Sequence, residues 1–242
     1  MAESRKIPWP RILAEGMAII VSILFAFGID AWWTARQLHS DEQDILRQLD
    51  AEFQTNAVLL AERRLNHAEI LAAIQFVLSV TGPEPDQTVA ESPELRVAID
   101  RITRWWTYDP QMGVLSGLTQ SGRLSIISSD PLRNALASWP SMVQDLSEDE
   151  IFAQQLTANQ LDPYLNRKIS RRNVVHYESV GDESVGEGRF PSELAGILAD
   201  QEFENIVHLK LGLTLGVLEE YDGLESEISA VRTLIFQASE AG

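Results

Sequence analysis

The stretch from Ile12 to Trp33, ILAEGMAIIVSILFAFGIDAWW, decides how the chain is organised. Its centre, Met17 to Ile29, holds 13 residues with no charge and no proline. A membrane span needs roughly 20 predominantly apolar residues. Ile12 to Trp33 supplies 22, about 33 Å of helix at 1.5 Å per residue. Glu15 and Asp30 lie near its ends, where carboxylates reach the headgroups. Trp32 and Trp33 suit the aromatic belt at a membrane surface. The stretch therefore reads as a single transmembrane helix, with residues 1–11 as a short cytoplasmic tail and 34–242 outside the bilayer. A cleaved secretory signal has the same basic start and apolar core, but Trp32 and Trp33 stand where its small residues belong.

Charge separates the two parts. Arg5, Lys6 and Arg11 balance Glu3, Glu15 and Asp30, so the whole net charge of −17 falls after Trp33. So acidic a body is repelled by nucleic acid and by anionic lipid surfaces. The expected partners are membrane lipid and, through the span, other membrane subunits; nucleic acid is not one. Arg5, Lys6 and Arg11 before the span outnumber Arg36 and Arg47 after it. That bias places the bulk domain in the periplasm of an inner-membrane, single-pass protein. Ser22 and Ala26 form a small-xxx-small pair that lets a second helix approach. The span has no histidine to ligate haem.

Beyond the span, Thr34 to Val80 contains neither proline nor glycine and is rich in strong helix formers. Leu46, Leu49, Phe53, Leu60, Leu71, Ile74 and Leu78 mark its apolar seam, with Asn56, Arg64 and His67 in the middle. Either the buried face drifts around the helix there, the reading favoured here, or a polar layer sets register. The helix continues the span as a stalk. Thr81 to Pro93 is a loop, and shorter helices occupy 93–165. Ser92-Pro93-Glu94 starts a helix that buries Ile99, Ile102 and one of Trp105 and Trp106. Gly113 to Asp130 reads as loop-like, with short helical turns near Met112–Gln120 and an extended or helical piece at Arg123–Ser128. Asp130-Pro131 starts another helix through Leu132, Leu136 and Trp139, which Pro140 kinks or interrupts. Ser147 to Glu150 reads as a capping box that restarts it, with Ile151, Phe152, Leu156 and Leu161 inward. Residues 166–192, with the acidic glycine-rich run at 181–188, read as a mobile loop.

Ser192 reads as the cap of a final helical region, 193–238. Phe203, Val207, Lys210, Thr214, Val217, Tyr221, Leu224, Ile228, Val231 and Ile235 recur at alternating spacings of 3 and 4. That heptad seam needs a long partner. The 34–80 helix is the matching one, giving an antiparallel coiled-coil-like pair. Self-pairing of the seam between two copies is the alternative.

No constellation points to catalysis. His39 and His67 lack ligand spacing, and the glycine-rich run lacks the Lys-Ser/Thr of a phosphate loop. Asp182, Glu183 and Glu187 lack calcium-loop spacing. Ser116 and Ser121 sit in no nucleophile elbow. No metal or cofactor is expected. Arg101, Arg104, Trp105 and Trp106 are a candidate ligand patch, with core tryptophans the plainer reading.

Glu15, Ser22, Ala26, Asp30 and Trp32, the segment ILRQLDAEFQTNAVLL, Tyr108, Ser121-Gly122-Arg123-Leu124 and the helix from Asp200 to Ile235 together resemble an uncharacterised bacterial family. Its members are single-pass, membrane-anchored, all-helical proteins built on a domain of unknown function. The likeness departs at Ser22, where the family has Gly, and in the order Glu15-Gly16. It implies an anchored helical domain and no particular activity. The expected fold is all-α. The expected role is a non-catalytic accessory or assembly subunit of a larger membrane complex, with a respiratory or photosynthetic assembly as one setting. The alternative is a membrane-anchored sensor whose domain binds a ligand near Arg104, Trp105 and Trp106.

Overall fold

A computed structural model describes residues 9–174 and 188–240, without the side chains of 9–16, 18 and 19. Every regular element among them is helical. The first helix, α1 (Trp9–Val80), runs unbroken for 72 residues. Short α2 (Gln87–Ala90) turns the chain over its far end, and α3 (Pro93–Thr103) packs back against it. Then come α4 (Gly113–Gln120), a 3-10 turn at Arg123–Ile126, and α5 (Asp130–Leu156). A π-helical turn, Thr157–Leu161, joins α5 to α6 (Asp162–Lys168). After α7 (Leu194–Leu198) the chain returns along α8 (Gln201–Glu240).

The two long helices pair along their length. Arg232 Nε donates to Asp50 at 2.9 Å and Arg64 Nε to Asp222 at 2.7 Å. As one number rises the other falls, so α8 is antiparallel to α1. Phe203, Val207, Val217, Tyr221, Leu224 and Ile228 are at most 3% exposed, as are Lys210, Thr214, Val231 and Ile235. They lie inside the monomer against α1 and α5, so this seam has no face left for a second copy. Ile206 also joins the buried set.

The core has two apolar lobes. The distal lobe gathers Ile70, Ile74, Val77, Ile99, Leu165 and Phe203. The proximal lobe, nearer the N-terminal half of α1, gathers Leu46, Leu49, Phe53, Leu132, Trp139 and Leu224. Phe53 and Trp139 meet with ring centroids 5.1 Å apart. On α1 the buried stripe runs through Ile70, Ala73, Ile74 and Val77, while Leu71 and Leu78 are only half-buried.

Several expectations need correction. Among the described residues no helix is long and apolar enough to cross a membrane. The uncharged run ends at Asp30, and the 13 residues before it cover only about 20 Å. The side chain of Glu15 lies outside the described residues, as does most of the glycine-rich run at 181–187. Of the two readings of Arg123–Ser128, the helical one holds for Arg123–Ile126, a 3-10 turn, and Ile127 after it is extended. Helix α5 continues through Pro140 without interruption. The proline itself is exposed, next to fully buried Trp139, and it removes the helix bond to the carbonyl of buried Leu136. Residues 147–150 therefore restart nothing. Ile151 and Phe152 face out at 44% and 61% exposure, one position past the inward Glu150. Ser192 does not cap α7. Its hydroxyl accepts from Ser170 N at 3.1 Å and donates to Ser170 O at 3.0 Å, closing the 170–192 loop.

Pro140 within α5 gives a direct stability test. Pro140→Ala restores the helix bond to the carbonyl of Leu136. It is expected to raise the urea midpoint, by up to about 3 kcal/mol. Trp139→Ala is expected to lower it by about 3–5 kcal/mol through the cavity left under Phe53.

Candidate functional site

Polar side chains on the inner face of α1 take up backbone groups of the chain returning along it. Arg63 Nε donates to Thr107 O at 2.9 Å. Asn56 makes a two-way bond with Gln111: its Nδ2 donates to the carbonyl at 2.8 Å, and its Oδ1 accepts the N–H at 2.7 Å. The Glu52 carboxylate accepts from Val114 N at 2.6 Å and Leu115 N at 3.1 Å, capping α4 from outside. Glu42 Oε1 accepts from Ser128 N at 2.6 Å. Asn56 is fully buried and His67 is 6% exposed. Asn56 and His67 thus belong to a polar layer in the middle of α1, while Arg64 is exposed and the buried stripe beyond shifts to Ile70, Ala73 and Val77, so the seam both carries a polar layer and drifts.

The layer separates the two apolar lobes and centres on Glu150. This carboxylate accepts the Tyr221 hydroxyl at 2.5 Å and the Tyr108 N–H at 3.0 and 3.1 Å through its two oxygens. The Tyr108 hydroxyl donates to Asn56 O at 3.3 Å. His67 Nδ1 lies 3.1 Å from Arg63 O and 3.4 Å from the Tyr221 hydroxyl. A carbonyl only accepts, so Nδ1 carries the proton. The His67 and Tyr221 rings meet edge to face. On the distal side, Lys210 Nζ donates to Thr157 Oγ1 at 2.6 Å and to Arg104 O at 3.4 Å. Thr157 opens the π-helical turn, so the break in α-helical register falls where the buried ammonium needs a partner.

Burial sets the proton affinities. It raises the Glu150 carboxyl above its ordinary range, opposed by the Tyr221 hydroxyl and the Tyr108 N–H. It pushes the Lys210 ammonium down to about 8, with Asp162 pulling the other way. It lowers the His67 imidazole, against the Arg63 carbonyl and with the Lys210 charge. The Tyr108 and Tyr221 phenols move up, again chiefly by burial. His67 is therefore neutral at pH 7. Glu150, Tyr221, His67 and Lys210 are each at most 6% exposed. Such a layer holds register and presents no reacting atom to solvent.

The sequence-expected residues are scattered. Asp30, Trp32 and Trp33 are exposed on α1, with the Arg36 guanidinium 5.8 Å over the Trp32 ring. Ser22 and Ala26 are exposed on the same helix. Trp105 and Trp106 are 41% and 39% exposed, so neither enters the core. Arg104 pairs with Asp100 at 2.6 Å and Arg101 with Glu69 at 3.4 Å. Arg63, not Arg104, lies over Trp106. The expected ligand patch is thus tied up with protein groups. Among the described residues no three His, Asp or Glu side chains are grouped to hold a metal. Sequence reasoning passed over Glu42, Glu52 and Glu150. Glu150 had a signal: it falls in phase with Leu132, Leu136, Trp139 and Leu146 on the buried stripe of α5. The chain matches no family model, no curated protein and no solved structure.

The layer predicts how stability varies with pH. Between pH 8 and 10.5 the unfolded chain keeps the Lys210 proton that the folded chain has lost. Stability therefore rises with pH across that window, and Lys210→Met abolishes this contribution. Glu150 acts oppositely: its raised folded value makes stability fall as pH rises from about 4.5 through that value. Tyr221→Phe removes a hydrogen bond to the carboxylate and is expected to cost about 1.5–3 kcal/mol at pH 7, and less at pH 4. Urea titrations across pH 4–10 read all three effects.

Proposed function

We propose that the protein is a membrane-anchored, non-catalytic accessory or assembly subunit, held in the bilayer by residues 12–33. The observation that carries this reading is the apolar end of α1. Every described side chain from Ile20 to Ser40 is exposed. Ile20, Val21, Ile23, Leu24, Phe25, Phe27 and Ile29 point to all sides of that helix at 50–72% exposure. A helix apolar all round is a buried or membrane-spanning one. Covering each of those side chains is worth about 1.5–3 kcal/mol. The fold keeps none of them against its own body, so lipid or another chain covers them. Spanning would require the whole of Ile12 to Trp33, 22 residues, with Glu15 and Asp30 reaching back to the headgroups.

Among the described residues the titratable groups of the central layer are buried, and they are spent on register. That favours a scaffold over an enzyme. The sensor alternative has less support, since Arg104 pairs with Asp100 and Arg63 lies over Trp106. The resemblance to anchored all-helical proteins points the same way. Inner-membrane placement with a periplasmic body, and a place in a respiratory or photosynthetic assembly, belong to this proposal.

Two measurements test it. The full chain is expected to float with liposomes after an alkaline carbonate wash, and Ile23→Arg with Leu24→Arg to abolish flotation without changing the melting of the body. Purified in mild detergent from its own membranes, it is expected to bring further membrane subunits in fixed ratio. Recovery without any other chain overturns the accessory role, and failure to float overturns the anchor.

A further inference from the structure

The polar layer offers solvent nothing to react with except a proton, and three of its groups stand in line to pass one inward. The Tyr221 hydroxyl donates to Glu150 Oε1 at 2.5 Å. Its oxygen lies 3.4 Å from His67 Nδ1. The hydrogen bonds of the His67 ring all fall on Nδ1. Among the described residues no buried side-chain nitrogen lacks a partner, and the ring keeps 6% exposure, so Nε2 is the edge that touches water. The line therefore runs from water to a carboxylate that is itself buried. Both Glu150 oxygens also accept the Tyr108 N–H. An imidazole and a hydroxyl each take a proton on one side and release another on the opposite side.

We infer that His67, Tyr221 and Glu150 form a proton relay, which loads and unloads the buried carboxyl while the fold stays closed. Inward, water gives a proton to His67 Nε2. The proton on Nδ1 passes to the Tyr221 oxygen, and the Tyr221 hydroxyl proton passes to Glu150 Oε1. Glu150 ends uncharged, the phenol ends neutral, and His67 ends as the Nε2–H tautomer with the Tyr221 hydroxyl now donating to Nδ1. Outward, the same three transfers reverse, and the Arg63 carbonyl again holds the Nδ1–H tautomer. The charges facing this line are Arg63 on α1, Asp109 beyond Tyr108, and Lys210 on α8. Burial first, and then the Lys210 and Arg63 charges, disfavours a proton resting on the imidazole, against the Arg63 carbonyl. Burial, with Asp109 adding to it, favours one on Glu150, against Tyr221, the Tyr108 N–H and the Arg63 charge. The proton thus passes through His67 and stays at Glu150. The relay rests on the body alone and is independent of whether residues 12–33 enter a bilayer.

Two measurements on the full-length protein test it. Nitrogen NMR of isotope-labelled histidine is expected to show His67 pass from Nδ1–H to Nε2–H as Glu150 takes its proton, and to show no such change in Glu150→Gln. After a rapid pH drop, the infrared band of the protonated Glu150 carboxyl, identified by its absence from Glu150→Gln, is expected to appear faster than the Tyr108 amide exchanges with heavy water. Tyr221→Phe and His67→Phe are each expected to slow that band by roughly tenfold or more, down to the rate of local opening. Both substitutions weaken the layer, so a merely structural loss would open it more often and speed the band instead. If Tyr221→Phe fails to fold, His67→Phe carries the comparison. A band that is unchanged or faster in the variants overturns the relay. So does an imidazolium at His67 beside a Glu150 that is still charged.

Discussion

The structure depends on a set of hydrogen bonds that side chains of α1 make to backbone of the chain folding back along it. Arg63, Asn56, Glu52 and Glu42 meet Thr107, Gln111, Val114–Leu115 and Ser128 in turn. As the number on α1 falls, the number on the returning segment rises. Residues 104–129 contain little regular structure besides α4 and one 3-10 turn, so their own backbone bonding is incomplete. Buried against α1, these groups would each cost about 1–3 kcal/mol if left unmet. Because α1 supplies partners only at fixed heights, the segment has one register. That register delivers Ser129 to the start of α5, where its hydroxyl accepts from Leu132 N, and so places Trp139 over Phe53.

The polar layer is the second consequence. Two apolar lobes joined end to end would allow α8 to slide by a heptad at small cost, since leucine-like residues repeat along its seam. Lys210, Thr214 and Tyr221 interrupt that repeat, and two of them have partners at only one height: Thr157 for Lys210, Glu150 for Tyr221. A slip would strand a buried ammonium and a buried carboxylate, a penalty of several kcal/mol each. Among the described residues no buried side-chain nitrogen or oxygen lacks a hydrogen-bond partner. A fully met layer of this kind specifies the pairing without being the source of most of the stability, which comes from the lobes on either side.

The legibility of the sequence follows the same division. The α8 seam could be read residue by residue, because its pattern is long, periodic and free of proline. Only Ile206 escaped, lying beside the seam rather than in it. The Ser92-Pro93 start was legible from local chemistry, and Ser92 Oγ does accept from Leu95 N. Local chemistry misled where tertiary contacts outweigh it. Ser147–Glu150 has the spacing of a helix start, yet Glu150 is held inward by Tyr108 and Tyr221 from distant segments. Trp105 and Trp106 look like core residues by type, but the chain leaves α3 at Thr103 and carries both to the surface. Asn56 and His67 are seam residues whose partners lie on elements that periodicity cannot identify. Their choice between drift and register was therefore not decidable from one strand of pattern.

The exposed part of α1 between the apolar end and the body has its own physical logic. From Thr34 to Ser40 every residue is exposed, and Glu42 is the first buried one. No glycine or proline lies between Thr34 and Val80, and kinks need such a cause. From Trp33 to Glu42 the helix rises about 13 Å. The body beyond it holds the entire charge of −17. At physiological salt an interaction between exposed charges fades over about 8 Å. A stiff spacer longer than that distance keeps the acidic body electrostatically apart from the surroundings of the apolar end. A flexible spacer of equal length would let the body swing back toward that end and lose its fixed heading. The continuity of α1 thus does two things at once: it holds the charge beyond the screening distance, and it fixes the heading of the body relative to the apolar end.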